Sequence, residues 1–336
     1  MTAQQSEPTS YQYENYYTGL PFLKTIIALI LLAAPFVTSD LQLRRFSQVL
    51  VLVLAVLGVN FCTGYAGLVS LGHGVFVGIG AFAMANYLDE LSLGFLPALL
   101  LATITTGLFG IVLGLPALRI KGIYLALLTF GFALVFGPVA RRLGPITGGV
   151  NGRSVEFDGD PPAWTGLAVE RTQLYRYILC VLVVLVWFVL SHGLINSRIG
   201  RAIRAVRDDE TAAASFGIDL TVVKMGAFGI SAAMAGSAGA LQTFLFPFVS
   251  HSKFEVFLSL RLYAAAVIGG LGTLVGAVYG VASLLLVPVV GRILGAFGSE
   301  TIVFGLALIL LTYLAPTGIA GIADRLGAWI RSLRKR

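Results

Sequence analysis

Charge is scarce in this chain. Only 12% of its 336 residues are Asp, Glu, Lys or Arg, against about 25% in a soluble domain. No Asp or Glu lies in the middle of any long apolar segment. The intramembrane acid with which proton- or sodium-driven carriers usually hold their ion is therefore missing. The three histidines, His73, His192 and His251, sit in three separate segments with no metal-ligand spacing. There is no nucleophile elbow, no HExxH and no GxxxxGK[ST] phosphate loop. The chain is thus expected to be no enzyme and to carry no cofactor, metal or ATP of its own. Its two cysteines, Cys62 and Cys180, fall inside apolar segments and read as small buried hydrophobes rather than a disulfide. Period-2 alternation is absent as well, which excludes a β-barrel.

What is present is apolar surface. The composition is 57% hydrophobic and the mean hydropathy is +0.90. The apolar runs are about 17 to 25 residues long, enough to cross a bilayer. The expected fold is an all-α polytopic membrane protein of about ten transmembrane helices, some broken by glycines. The spans fall at 21–38, 46–65, 69–88, 96–115, 122–139, 174–191, 222–245, 257–271, 274–291 and 299–315. Gly269-Gly270-Leu271-Gly272 and Gly276 leave the eighth and ninth open to being one broken helix or a re-entrant hairpin. Residues 1–20 read as a flexible polar tail, 21–320 as the membrane domain and 321–336 as an amphipathic tail in the interface.

The net charge of +7 reads as membrane topology, not nucleic-acid binding, because the arginines cluster beside hydrophobic spans. With both termini inside, the densest basic clusters fall on the inner side: the loop 192–221 and the tail Arg325 to Arg336. The loop 140–173 then lies outside. Glycines inside the spans are expected to let helices approach closely, with a helix break expected near His73.

The most distinctive segment is SRIGRAIRAVRDDETAAASFGIDLT, Ser197 to Thr221, a polar, helix-prone stretch between apolar spans. On a helix Ile199, Ile203 and Val206 share one side, and Arg204 and Asp208 form an i,i+4 pair. Taken alone, it is equally a solvated loop helix with internal ion pairs.

Four segments together resemble the permeases of branched-chain amino-acid ABC importers. They are GYAGLVSLGHGVFVGIGAFAMA (Gly64 to Ala85), ITGGVNG (Ile146 to Gly152), the Ser197 segment, and GGLGTLVGAVYG (Gly269 to Gly280). The resemblance covers about residues 46 to 320 and is nearer the LivM-type subunit than the LivH-type. In the third segment Thr211 interrupts the family's Glu-Ala-Ala pattern.

The resemblance implies a permease in a bacterial plasma (inner) membrane, in contact with the lipid bilayer. It pairs with a second, LivH-type permease, two ATP-binding subunits that carry the ATP, and an external solute-binding protein. It further implies that the charged loop carries a coupling helix. Asp209, Glu210, Ala213 and Gly217 would form the core of the coupling contact, with Arg201, Arg204 and Arg207 at its rim. Asn60, Tyr65, Ser70, His73, Tyr124 and Thr129 are polar groups in or near apolar spans. They are candidates for the translocation path, and equally for hydrogen bonds between helices. Thr147, Gly148, Gly149, Asn151 and Gly152 would shape the external face. Two other readings stay open: a urea or short-amide importer built on the same machine, and a stand-alone secondary carrier. A membrane enzyme has no constellation to support it.

Overall fold

The computed structural model describes residues 39–118, 120, 122–157, 159–161 and 171–293, with 305, 309, 317–322 and 325 near the carboxyl end. The expected tail 1–20 and span 21–38 lie outside the described residues, as do most of the span 299–315 and of the tail 321–336.

Helix α1 (Asp40–Asn60) begins six residues before the expected span and passes directly into a π-helical turn, Phe61–Tyr65. Its start is fixed by Gln42, whose side chain accepts from the backbone N–H of Ser39 at 3.1 Å. After a non-helical stretch come α2 (His73–Asp89), α3 (Phe95–Gly114) and α4 (Ile123–Arg142). A single turn, α5 (Gly144–Thr147), leads into a two-residue strand β1 (Arg153–Ser154). Then follow α6 (Thr172–Asn196), α7 (Arg198–Asp208), α8 (Glu210–Ser215) and α9 (Leu220–Leu245). Strand β2 (Phe248–Val249) pairs antiparallel with β1, placing Arg153 opposite Val249. Helices α10 (Val256–Gly269) and α11 (Leu274–Ile293) follow.

Ten spans were expected. Among the described residues five helices are long and apolar enough to cross a membrane: α1 with its π turn, α3, α4, α6 and α9. The pair α10 and α11 makes a sixth if counted as one span, bent by 118° at its break. A bend of that size makes the glycine-rich junction either the break of one span or the tip of a re-entrant hairpin. Helix α2 falls short at 17 residues, about 26 Å, because the chain stays non-helical until His73 instead of entering a helix at 69.

Burial separates the inside of the bundle from its outside. In α1, 78% of the apolar window is buried, whereas α3, α4 and α6 bury only 22–33%. Those three present leucine, isoleucine, valine and phenylalanine outward, as helices facing lipid do. Helix α9 is central, packing against α1, α2 and α3. It is also the least apolar of the five spans, built from glycine, alanine and serine. A methyl group at Gly239 would overlap the carbonyl of Val77, and one at Gly80 would overlap the backbone of Gly236. Backbones touch here with no side chain between them, the close approach that small residues permit.

Candidate functional site

The charged segment folds as a helical hairpin, in two pieces where one helix was expected. Ser197 caps α7 by accepting from the N–H of Gly200 at 3.3 Å. Gly200, Ile203 and Val206 are buried, while Ile199, in the first turn, is exposed and does not join them. Arg201 and Arg204 each donate to a carbonyl at the end of α6, Asn196 and Ile195, both at 3.4 Å. Cations at a helix C-terminus satisfy its orphan carbonyls and its dipole. The expected Arg204–Asp208 pair does not form. Arg204 is turned toward α6, and Asp208 ends α7 and binds its neighbour Arg207 at 2.9 Å.

Asp209 is extended and breaks the hairpin in two. Its carboxylate accepts from the N–H groups of Thr211 and Ala212 at 2.8 and 3.0 Å, capping α8. At the other end Gly217, at φ +80°, closes α8 in a Schellman turn: its N–H bonds Ala214 O and that of Ile218 bonds Ala213 O. An L side chain at 217 would strain this turn. Asp219 then caps α9 through Thr221 and Val222.

Beyond these bonds to α6, two contacts distant in sequence clamp the hairpin to the bundle. Glu210 Oε1 lies 2.7 Å from Lys224 Nζ, and the Lys224 side chain is only 2% exposed. Arg207 Nη1 donates to the carbonyl of Gly64 in the π turn at 3.1 Å. Ala213 is buried against its own chain. The outward surface of α8 therefore consists of Thr211, Ala212, Ala214 and Ser215, followed by Phe216, which is 86% exposed.

Five of the six polar residues singled out within the spans are buried: Asn60, Tyr65, Ser70, His73 and Thr129. Tyr124 is 71% exposed on the surface of α4. Four of the five serve the two places where the backbone leaves the helix inside the bundle. Non-helical backbone at membrane depth is tolerated only where protein supplies its hydrogen bonds. At the first break, residues 66–72, Thr129 Oγ1 accepts from the N–H of Leu71 at 2.9 Å. Ser70 Oγ meets His73 Nδ1 at 3.0 Å, and Ser259 Oγ accepts from Gly74 N–H at 2.9 Å. A narrow cleft beside this break is lined by Ser70, Gly72, Thr129, Phe132 and Phe228. At the second break, between α10 and α11, Asn60 accepts from Gly272 N–H at 2.7 Å and donates to Thr273 O at 2.6 Å and Gly270 O at 3.4 Å.

At the opposite end of the bundle, Thr147 Oγ1 donates to Ala140 O and Leu143 O and accepts from Gly149 N–H. Gly148, Gly149 and Gly152 all have positive φ, while Asn151 is exposed. Sequence reading missed Arg153, the hub of this end. Its guanidinium reaches Asn86 Oδ1 at 2.6 Å, Asp89 Oδ2 at 3.2 Å, Glu90 Oε1 at 3.1 Å and Pro145 O at 3.3 Å. No local spacing signals this, since the acids lie more than sixty residues earlier. Among the described residues no cluster of His, Cys, Asp or Glu has metal-site geometry.

Lipid-facing apolar helices around a small-residue core, with backbone breaks held by buried polar side chains, define a polytopic α-helical membrane protein. The chain belongs to the family described as branched-chain amino acid transport system / permease component, whose model matches residues 43–314. It is 32% identical over 272 residues to the high-affinity branched-chain amino acid transport system permease protein LivM of Salmonella typhimurium, covering 74% of this chain and 63% of that protein. It is 23% identical over 310 residues to the probable branched-chain amino acid transport permease protein LivM of Methanocaldococcus jannaschii, covering 78% and 88%. Similarity to the LivH permease protein of Escherichia coli K12 is 33% over 125 residues, only 37% of this chain and 40% of that one. No solved structure matches the chain.

Proposed function

We infer that this chain is the LivM-type permease of an ATP-driven importer for branched-chain or related hydrophobic amino acids. The observation that carries the reading is the family match across residues 43–314, which takes in both backbone breaks and the whole charged hairpin. The chain pairs with a second, LivH-type permease; the partial LivH likeness alongside the longer LivM one supports two related subunits. ATP sits on two separate ATP-binding subunits, and an external solute-binding protein delivers the cargo. The membrane is the bacterial inner membrane, with both termini and the charged hairpin on the cytoplasmic side and the loop 140–173 outside.

In this reading the hairpin receives the stroke of the ATP-binding subunits. The outward face of α8, from Thr211 to Phe216, offers small residues beside one large apolar side chain. Such a surface suits close docking, with Phe216 as its anchor. The arginines and Glu210 hold the hairpin to its own bundle. Movement of the hairpin then rocks the helices between two states around the substrate path.

Two experiments test this reading. Glu210→Arg places a second cation beside the buried ammonium of Lys224. We expect ATP-driven uptake to fall more than about tenfold, the scale of a disrupted buried pair, while the chain still inserts. Normal uptake would remove the hairpin from the coupling role. Labelling tests the orientation: an impermeant thiol reagent applied outside intact cells should reach Asn151→Cys and spare Asp209→Cys. The reverse pattern inverts the topology.

A further inference from the structure

The hairpin's second clamp lands on an unusual place. Arg207 holds the carbonyl of Gly64, which lies within the π turn that ends α1. Its side-chain stem also fills the space over Gly67, where a Cβ would come within 2.5 Å of Arg207 Cγ. The other side of Gly64 is equally full, since a methyl there would overlap Gly272 N and the amide oxygen of Asn60. Gly272 is the middle of the break between α10 and α11, and Asn60 holds that break through three hydrogen bonds. An unbroken series of contacts thus runs from the hairpin through the π turn to the second break.

We propose that Arg207 is the positioning residue that transmits motion of the hairpin to the α10–α11 break. The proposal rests on reading the hairpin as the coupling element. A break is where backbone torsions change without the loss of helical hydrogen bonds, and here Gly270 and Gly272 at φ +114° and +78° are the joints. The π turn is a suitable relay, because such turns interrupt the helical ladder at functional places. The first clamp has a different role. Glu210 ties α8 to the central helix through a lysine already buried, and opening that pair would strand a charge. Arg207 instead grips a neutral carbonyl, that of the buried Gly64. It ties the hairpin to the π turn, which is continuous with α1 and abuts the second break through Gly64 and Gly272.

The test uses the full complex of both permeases, ATP-binding subunits and loaded binding protein in liposomes. The guanidinium of Arg207 is engaged by Gly64 O and Asp208 and lies off the outward face of α8, so the ATP-binding subunits should still co-purify with Arg207→Gln. Solute moved per ATP hydrolysed should fall about tenfold, equivalent to about 1.4 kcal/mol of lost coupling. Arg207→Lys, which still donates to a carbonyl, should restore most of it. An unchanged ratio in Arg207→Gln overturns the proposal and leaves the coupling hairpin standing. Loss of co-purification in that variant makes Arg207 a docking residue and also overturns it. If the unaltered chain brings no ATP-binding subunits, the importer reading itself fails.

A second measurement reads the linkage as a distance. Spin labels at Ile199→Cys and Leu271→Cys, both exposed in the native chain, report the hairpin and the break. With Arg207 present, their separation should be the same with and without ATP, and in Arg207→Gln it should shift on ATP binding. A separation that shifts on ATP binding with Arg207 present, or stays fixed in Arg207→Gln, overturns the linkage.

Discussion

Gly239→Ala, the addition of one methyl group, should remove most of the folded protein from a detergent extract. The methyl overlaps the carbonyl of Val77, and neither backbone can retreat, because α9 is packed on its other sides by α1 and α3. Overpacking against backbone costs about 3 kcal/mol or more, a large share of a typical stability of about 5–15 kcal/mol. The matched control is Gly226→Ala in the same helix, where a Cβ meets nothing within 4 Å. There the expected effect is neutral to slightly stabilising, by about 0.5–1 kcal/mol, since alanine orders more cheaply in a helix. The monodisperse fraction on gel filtration and the thermal midpoint read both. Equal behaviour of the two variants would mean that α2 and α9 are not in backbone contact.

Asn60→Leu should be nearly as damaging. Leucine has the right bulk for a buried site and loses all three bonds to the second break. The N–H of Gly272 and the carbonyl of Thr273 would be left unpaired in an apolar interior, at about 1–3 kcal/mol each. Asn60→Asp is no rescue. A carboxylate keeps the bond from Gly272 but faces two carbonyls, and it brings a charge into the bundle. Both variants should lower the thermal midpoint and the uptake together. A thermal midpoint unchanged in Asn60→Leu would show that the break holds itself.

These two residues also mark what the sequence does and does not disclose. Continuous apolar runs carry their own boundaries. The expected 122–139 is Ile123–Arg142, and the expected 222–245 is Leu220–Leu245. The error at 69–88 has a physical cause. Residues 66–72 are as apolar as a helix, so hydropathy cannot see that they are non-helical. The cause is Gly67 at φ +68°, together with side-chain partners from distant segments, Thr129 and Ser259. Asn60 stood out as a polar group in an apolar span. Its partners lie more than two hundred residues away, so no local pattern separates a backbone clamp from a path-lining group. Ala213 shows the same limit in the hairpin. The resemblance places Ala213 in the coupling contact, and the helix turns that alanine inward and presents Ala212 and Ala214 instead. The hairpin as a unit was legible because charge in so apolar a chain is conspicuous. The direction of each side chain depends on the break at Asp209.

The make-up of α9 has a consequence for how the chain is made. The helix that every neighbour leans on is the one with the weakest preference of its own for hydrocarbon. Glycine and serine gain little from lipid, and α9 repays its transfer only when α1, α2 and α3 receive it. During synthesis those three helices emerge first and must wait, with their small-residue grooves open, through more than a hundred residues of chain. Insertion of α9 is then a docking step as much as a partitioning step. A ribosome-bound chain that stops short of Leu245 leaves α1, α2 and α3 in the membrane without the helix they pack against.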